Sequence, residues 1–371
     1  MRKRSKILIV DTNPMIYDGI FSAIINYAEN IDKSDVEIDF VSINEPETSI
    51  KRRIENNGFH LFILSNRNRK PLMYILSLSK LIRKNKYTLV HVHGSSCIMA
   101  VELLASKMAG TPCCPHSHNT NCQHKTAHRI LKPLFNLLYK NGFACGEAAG
   151  KWLYGEKKYD VIRNGIVCER FKYSQENRKQ IRDELGILED TKVLISVAHF
   201  SEVKNHVFML NMMKEIIKKE PSCCLLCVGI GELIEQVKNL ILEYKLERNV
   251  NIMGIRQDVP NLLSAADVLI LPSLFEGFPF SLVEAQASGI DCLVSSTVTK
   301  ECCFSDNMSY LPLELTKWID AIENLRLNQN RDLICKKNIE SIRNAGYDIT
   351  KTASHLKYLY MKYEKSENDV R

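Results

Sequence analysis

Two carboxylates frame a turn in the second half of the chain. Glu276 and Glu284 are separated by seven residues, and an apolar, strand-like run precedes the first of them. The residues after Glu276 are Gly277, Phe278 and Pro279. A strand, a glycine turn and a helix N-terminus together form an anion cradle, because unpaired backbone N–H groups and the helix dipole point at the turn. Pro279 fits the first helical turn, where its missing N–H costs nothing. The segment therefore predicts an anion site.

The two carboxylates need a separate explanation, because like charges repel and a carboxylate does not bind phosphate. Glu276 and Glu284 are better explained as hydrogen-bond acceptors for hydroxyl groups, on a ribose and on a sugar. The alternative is that both are surface glutamates at a helix start. The surrounding turn favours the binding role.

A lysine in another strand–helix connection has a similar position. Lys204 lies in the segment 197–206, which follows a buried strand-like run and opens a helix predicted at 207–219. A lysine at a helix N-terminus raises the positive potential on a bound pyrophosphate, as lysines do at phosphate loops. A plain surface lysine at a helix start is the alternative.

Strand-like and helix-like segments alternate along the chain, which predicts the α/β class with largely parallel sheets. A chain of 371 residues suits two domains. One series of strands runs from 6–11 to 143–146, and a second begins at 193–197. We place the boundary between them near 164–171. Ligands of doubly wound sheets bind at the carboxyl ends of the strands.

The stretch 276–289 resembles the E-x7-E signature of retaining glycosyltransferases of family 4, and 258–267 is similar to the residues that precede that signature. The resemblance extends in order over almost the whole chain. It implies a GT-B fold, in which two Rossmann-like, doubly wound domains face an interdomain cleft. The expected domains are an acceptor-binding domain at 1–168, joined by a C-terminal helix at 347–371, and a nucleotide-sugar-binding domain at 172–346.

The resemblance also implies roles for individual residues. Glu276 is expected to bind sugar hydroxyls and Glu284 the ribose, while Lys204 neutralises the donor's diphosphate. The usual family pattern is Gly-Arg-x4-Lys, in which Arg and Lys both contact that diphosphate. Here Ala198 stands for the glycine and His199 for the arginine, so His199 is expected to donate one hydrogen bond to phosphate.

Three further positions follow from the same resemblance. His118, at the end of a strand in the first domain, is expected to face the anomeric centre of the sugar and to be catalytic together with Glu276 and Lys204. Gly19 corresponds to a glycine loop that approaches the donor phosphate and the acceptor, although Asp18 replaces the first glycine. Arg256 lies in a loop that is expected to help at the nucleotide base.

A Cys/His-rich segment raises the alternative of a metal site. Seven cysteines and histidines lie between Cys113 and His128. Their spacings match no zinc pattern, and adjacent cysteines do not easily both point inward. The resemblance implies that no metal and no cofactor beyond the nucleotide-diphosphate sugar is needed. We therefore predict no metal ligands.

Charge is unevenly distributed. Residues 1–165 hold 24 Lys and Arg against 14 Asp and Glu, so this half faces something anionic, either a membrane surface or nucleic acid. The helical stretch 126–140 combines bulky apolar residues with Arg129 and Lys132. It is either an interfacial helix on anionic lipid or an ordinary helix covering the sheet. The charge balance favours the membrane, and no nucleic-acid-binding motif is found.

Further properties of the sequence indicate where in the cell the protein acts. No apolar run approaches the roughly 20 residues that span a bilayer, and the first strand is too short to serve as a signal-peptide core. Thirteen cysteines, mostly within apolar strands, indicate free thiols in a reducing compartment. We expect a cytoplasmic protein that is peripheral on the inner face of the plasma membrane.

The expected activity is transfer of a sugar, with retention, from a nucleotide-diphosphate sugar, preferably a UDP-sugar. The expected acceptor is a lipid-linked molecule or an oligosaccharide in bacterial capsule or exopolysaccharide synthesis. No carboxylate stands out as a covalent nucleophile, which favours front-face transfer. Two alternatives stay open: a UDP-GlcNAc 2-epimerase of the same architecture, and a non-catalytic partner that only binds sugar nucleotides.

Overall fold

A computed structural model of the protein describes residues 4–325 and 330–368. The last three residues of the predicted segment 347–371 lie outside the described residues. The chain divides into two compact units. Unit 1 contains Met1–Gly165 and Ile349–Arg371, and unit 2 contains Ile166–Asp348.

Unit 1 is built on a parallel sheet. Its order, within the described residues, is β3-β2-β1-β4-β5-β6-β7. The strands are β1 (Ser5–Asp11), β2 (Val36–Ser42), β3 (His60–Ile63), β4 (Leu89–Gly94), β5 (Cys113–Ser117), β6 (Phe143–Ala144) and β7 (Asp160–Val161). The central strands are rich in Ile, Leu and Val and buried on both faces, as is typical of parallel sheets.

Six helices connect these strands in the described part of unit 1. They are α1 (Gly19–Asn30), α2 (Thr48–Asn56), α3 (Pro71–Asn85), α4 (Ala100–Ala109), α5 (Lys125–Leu138) and α6 (Glu147–Tyr154). Leu8, Val10, Val90 and Val92 share one hydrophobic core with buried residues of α3, α4 and α5. These three helices therefore cover one face of the sheet.

Unit 2 repeats the plan. Its described strands lie in the order β10-β9-β8-β11-β12-β13, again all parallel. They are β8 (Val193–Val197), β9 (Cys224–Val228), β10 (Val250–Gly254), β11 (Val268–Leu271), β12 (Asp291–Ser295) and β13 (Met308–Leu311). The helices are α7 (Gln175–Glu184), α8 (His206–Ile216), α9 (Ile234–Glu243), α10 (Val259–Ala265), α11 (Phe280–Ala287), α12 (Leu315–Glu323) and α13 (Arg331–Asn344).

The last helix, α14 (Ile349–Asn368), belongs to unit 1. It packs against α1 and β4 on the sheet face opposite α3, α4 and α5. The hydroxyl of Tyr360 lies 2.6 Å from Nδ1 of His91, and Oε2 of Glu364 accepts a hydrogen bond of 2.6 Å from Ser5. These contacts tie the end of the chain to its first sheet.

The predicted α/β class and the parallel sheets are observed, and the strand predicted at 193–197 has the predicted bounds. The edge strands β7 and β13 were not predicted, because two and four residues show too little periodicity. Within the described residues, no helix combines the length and the apolar character needed to cross a bilayer.

Candidate active site

The loops at the carboxyl ends of the unit 2 strands are hydrogen-bonded to one another. The N–H of Phe200, after β8, donates to the carbonyl of Ile230, after β9, at 2.7 Å. The N–H of Leu274, after β11, donates to the carbonyl of Val203 at 2.8 Å. Because each loop is held by its neighbour, this edge presents a fixed set of side chains where ligands of such sheets bind.

Two glycines allow the loops after β8 and β9 to pack so closely. A Cβ on Gly229 would lie 2.1 Å from the carbonyl oxygen of Ala198, and one on Gly231 would lie 2.4 Å from that of Phe200. Both glycines also have positive φ, at 142° and 159°. The Gly-x-Gly spacing is therefore explained by backbone contact between two loops.

Lys204 and Glu276 meet at this edge. The Nζ atom of Lys204 forms an ion pair with Oε1 of Glu276, and the hydroxyl of Ser273 donates to the same oxygen at 2.8 Å. The two charged side chains are 22% and 10% exposed, so water screens this pair less than a surface pair. An ammonium has three N–H donors, and Lys204 can therefore serve a further ligand while it holds Glu276.

The turn after Glu276 differs slightly from the prediction. Pro279 is the N-cap of α11, with φ −77° and ψ 105°, and the helix begins at Phe280. The placement of Pro279 in the first helical turn was therefore wrong by one residue, because its ψ is still extended. Gly277 is exposed, and the ring of Phe278 stacks on Tyr347 at 5.0 Å. The backbone of Gly277 is thus accessible shortly before the N-terminus of α11.

Glu284 lies on α11, one turn beyond the start of the helix, and is half-buried. It belongs to the same unit as Lys204 and Glu276. Helix α11 therefore carries the Glu284 carboxylate about one turn after its own N-terminus.

His199 is held by the loop after β9. Because a carbonyl only accepts, the contact of 2.8 Å between Nδ1 of His199 and the oxygen of Ile230 places a proton on Nδ1. The other ring nitrogen, Nε2, lies 3.5 Å from Oε2 of Glu232. Neutral His199 therefore offers a lone pair at Nε2, and only its protonated form could donate to a phosphate there.

Arg256 is engaged by carboxylates of unit 2. Its Nε and Nη2 atoms contact the two oxygens of Asp258, both at 2.7 Å, and Nη2 lies 3.3 Å from Glu184. The hydrogen bonds to Asp258, followed by that to Glu184, raise the pKa of Arg256. Asp258 is the residue just before α10, so the two hydrogen bonds from the Arg256 guanidinium hold the start of that helix in place.

The remaining predicted residues lie in unit 1. His118 follows β5 at the carboxyl edge, where its N–H donates to the carbonyl of Gly94 at 3.1 Å. Gly19 is the exposed first residue of α1, and the carboxylate of Asp18 accepts from the N–H of Phe21 at 2.8 Å. Asp18 therefore caps the helix N-terminus with a negative charge.

The structure thus brings Lys204 into contact with Glu276 and places His199, Glu284 and the 277–279 turn in the same unit. Arg256 pairs with other carboxylates, and His118 and Gly19 belong to unit 1.

Two residues of the site were not predicted. Ser273 orients Glu276, and Asn205, in the left-handed conformation with φ 55°, donates from its side chain to the carbonyl of Pro272 at 3.2 Å. Asparagine is one of the few residues besides glycine that adopt this conformation, so its residue type is a sequence signal. The position of Ser273, three residues before Glu276, is a much weaker sequence signal.

A cluster of three histidines, His91, His93 and His116, is the one group among the described residues with ligand atoms close enough for a metal ion. Of the Cys/His-rich segment 113–128, only His116 takes part in it. The cysteines of that segment form no disulfide within the part of the chain that the structure describes.

Comparison with known proteins shows sequence similarity to glycosyltransferases. Residues 17–170 match the sequence model described as Glycosyltransferase Family 4, and residues 177–303 match that of Glycosyl transferases group 1. A UDP-Gal:alpha-D-GlcNAc-diphosphoundecaprenol alpha-1,3-galactosyltransferase of Escherichia coli is 29% identical, covering 79% of this chain and 80% of that protein. The capsular polysaccharide biosynthesis glycosyltransferase CapH of Staphylococcus aureus is 24% identical, covering 79% and 82%.

Among solved structures, HepE of Anabaena in complex with UDP and glucose superposes with a TM-score of 0.78 over 96% of this chain and 99% of that one, at 17% identity. A likeness at this identity concerns the fold, and it confirms the predicted GT-B class. The sequence matches likewise confirm the predicted enzyme class, a hexosyltransferase. The chain carries a Glycosyltransferase Family 4 domain followed by a Glycosyl transferases group 1 domain, and its relatives include enzymes of bacterial capsule and polysaccharide synthesis.

Proposed function

We propose that the protein transfers a hexosyl residue, with retention, from a UDP-sugar to a lipid-linked or oligosaccharide acceptor in bacterial surface polysaccharide synthesis. The name of the Escherichia coli relative combines a UDP-sugar donor with a diphosphoundecaprenol-linked acceptor. HepE has been crystallised with UDP and glucose. The CapH relative supports a role in capsule formation.

The observation that carries this proposal is the contact between Lys204 and Glu276. In a nucleotide-diphosphate sugar, the sugar is bonded directly to a phosphate. A site for such a ligand needs a cation for the phosphate next to an acceptor for sugar hydroxyls. The ion pair supplies both groups in direct contact at the carboxyl edge of one sheet.

The main catalytic demand is to stabilise the charge that develops on the departing diphosphate. Lys204 contributes a positive charge, and the exposed backbone of Gly277 leads into the N-terminus of α11, which contributes unpaired N–H groups. Glu276 orients the sugar through its hydroxyls, and Glu284 accepts from the ribose. We propose that these groups provide the charge stabilisation without a divalent metal.

Retention follows from a front-face transfer. The bond between C1 of the sugar and the phosphate oxygen breaks, and a bond from C1 to the acceptor oxygen forms on the same face. The proton of the acceptor hydroxyl passes to the departing phosphate oxygen. The configuration at C1 in the product, read by NMR, tests this step, and an inverted product would contradict it.

The donor is tested by thermal shift with UDP, GDP and ADP, followed by hydrolysis and transfer assays with the corresponding sugars in EDTA. We expect the largest stabilisation with UDP and undiminished activity in EDTA. Stabilisation by GDP alone would overturn the choice of nucleotide. Activity that returns only with added magnesium would overturn the metal-free mechanism.

The lipid-linked acceptor is supported by two helices of unit 1 with exposed apolar residues. On α3, Leu72, Met73 and Leu76 are 75%, 61% and 60% exposed. On α5, Ile130 and Leu137 are 71% and 77% exposed, while the opposite side of this helix is buried in the core. Both helices pack against α4 and so belong to one layer.

Basic side chains accompany these apolar residues. Exposed lysines and arginines on the two helices are Lys80, Arg83, Lys84, Lys125, Arg129 and Lys132. Exposed leucines beside cations suit the interface of an anionic bilayer, where apolar groups enter the acyl boundary and cations meet the headgroups. We propose that this layer docks on the inner face of the plasma membrane.

Vesicle sedimentation tests the docking. We expect binding to vesicles with phosphatidylglycerol, weak binding to pure phosphatidylcholine, and reduced binding for Leu76→Glu. The matched control is Leu242→Glu on α9 of unit 2, because Leu242 is also 60% exposed. Equal losses in both variants, or binding that ignores lipid charge, would contradict the assignment.

A further inference from the structure

Four histidines form a compact array on one face of the unit 1 sheet. His91 and His93 lie on β4, His116 lies on β5, and His118 directly follows β5. His93 is the register partner of His116, so the side chains lie side by side. His91, His93 and His116 are fully buried, beneath Tyr360 of α14.

The array consists of two hydrogen-bonded pairs. Nε2 of His91 lies 3.1 Å from Nδ1 of His116, with ring centroids 5.2 Å apart and ring planes 7° apart. Nδ1 of His93 lies 2.8 Å from Nε2 of His118, with centroids 5.1 Å apart. The rings of each pair therefore meet edge to edge. The two pairs stack, with centroids 4.0 Å apart between His91 and His93, and 4.2 Å between His116 and His118.

The hydrogen bonds of the array leave two buried ring nitrogens unused. The facing nitrogens of each pair are already hydrogen-bonded. The buried nitrogens that lack a partner among the described residues, Nε2 of His93 and Nε2 of His116, are the ring atoms not used in those bonds.

The unpartnered nitrogen of His93 decides the direction of its hydrogen bond to His118. One nitrogen of the pair must carry the proton, and the other must offer a lone pair. With a proton on Nε2, His93 would bury an N–H without an acceptor, a rare and costly arrangement, whereas an unused acceptor is better tolerated. The proton of His93 therefore lies on Nδ1 and is donated to Nε2 of His118.

We propose that His93 is a positioning residue that holds His118 in the tautomer protonated on Nδ1. His118 then presents Nδ1–H to a sugar oxygen at the carboxyl edge of the unit 1 sheet, where ligands of doubly wound sheets bind. His118 acts as a neutral hydrogen-bond donor and is not a general base. This inference rests on the proposed function only for the identity of the sugar. Burial lowers the pKa of His118 to about 3, which agrees with a neutral ring at pH 7.

The direct test is the tautomer of His118 in the wild-type protein. With 15N-labelled histidine, and with His118→Asn to assign the signals, long-range proton–nitrogen NMR at pH 7 should show the His118 proton on Nδ1. A proton on Nε2 would overturn the proposal. This readout needs no donor sugar, so it remains decisive if no transfer activity is found and the proposed function fails.

Variants supply the kinetic test. His93→Asn keeps an N–H donor near the position of Nδ1, His93→Leu removes it, and His91→Leu is the control, because His91 is buried in the other pair. We expect His93→Leu to lower kcat about 10- to 100-fold, as substitutions of orienting partners do, without changing the Kd for UDP. His93→Asn should recover most of the loss, and His91→Leu should stay close to wild type.

Two outcomes would overturn the positioning role. If His91→Leu lost as much kcat as His93→Leu, the array would act through packing alone. If the purified protein held one equivalent of a transition metal, and His93→Leu lost that metal, the rings would be ligands.

Discussion

At the carboxyl edge of the unit 2 sheet, a lysine and a glutamate form an ion pair that a third side chain, Ser273, helps to orient. At the carboxyl edge of the unit 1 sheet, His118 ends an array of histidines that burial keeps neutral. Both sheets are parallel and doubly wound, so the shared architecture does not determine the chemistry of the edge. The side chains that follow the strands determine it.

The proposed function gives the two edges different tasks. A departing diphosphate carries charge, and a partly exposed cation stabilises it. The sugar and the acceptor hydroxyl are neutral, and a neutral donor can orient an oxygen without competing for the diphosphate. The expected effects are therefore largest where charge develops and smaller where neutral groups or surface contacts act.

The largest effect is expected for Glu276→Ala. This change removes the acceptor for sugar hydroxyls and leaves Lys204 without its partner, so kcat should fall about a thousandfold, comparable with the loss of a major transition-state contact. The measurement is initial-rate kinetics with saturating donor. Glu301→Ala is the control, because Glu301 is exposed in the same unit and has no assigned role. Near-wild-type turnover in Glu276→Ala would remove the ion pair from the mechanism.

The second effect is expected for Lys204→Ala. Hydrogen bonds to charged groups contribute about 1.5–3 kcal/mol, so the Kd for UDP should rise about 10- to 100-fold. Isothermal titration calorimetry measures this directly. Lys218→Ala is a matched control, because Lys218 also forms an ion pair in unit 2, with Glu215. An unchanged Kd in Lys204→Ala would show that the diphosphate binds elsewhere.

Much of the unit 2 site could be predicted from the sequence. Gly277, Pro279, Glu276 and Glu284 lie within nine residues of sequence. The segment that follows β11 can therefore be recognised from its local pattern. The contact between Lys204 and Glu276 joins residues that are far apart in the chain. It depends on the strand order, in which β8 is the neighbour of β11. The resemblance implied that both residues serve one donor, but neither it nor the residue pattern predicted a direct contact between them.

The histidine array was less predictable, for a related reason. His91 and His93 are spaced as residues on one face of a strand, but so are many pairs that only fill a core. The array exists because the register of β4 and β5 pairs His93 with His116. The engagement of Arg256 with Asp258 and Glu184 was also missed, because the sequence shows a basic loop residue but not its partners.

The third effect concerns acid stability. Burial, with smaller contributions from neighbouring histidines, lowers the pKa of His91 well below its usual range. Below about pH 6.5, the imidazole of His91 is protonated in the unfolded chain but not in the folded chain. His91 therefore lowers the free energy of unfolding as the pH falls. His91→Leu removes one such proton. It should therefore reduce the loss of unfolding free energy between pH 7.5 and 5.5 by about 1.4 kcal/mol.

Tryptophan fluorescence can assign this change to one unit, because the chain has two tryptophans, Trp152 in unit 1 and Trp318 in unit 2. Urea unfolding in the Trp318→Phe background reports unit 1, and in the Trp152→Phe background it reports unit 2. The pH dependence should change only in the first background. A change of equal size in both would contradict the assignment to the buried array.

The smallest effect is expected at the membrane-facing layer. Each lysine or arginine near an anionic surface contributes about 1 kcal/mol, so Lys132→Gln should weaken binding to phosphatidylglycerol vesicles about fivefold. Binding to neutral vesicles should not change, and added salt should reduce the difference between variant and wild type. Lys238→Gln is the control, because Lys238 is half-exposed on α9 of unit 2. If both lysines mattered equally, net charge alone would attract the protein to the bilayer, and the α3–α5 layer would have no special part in docking.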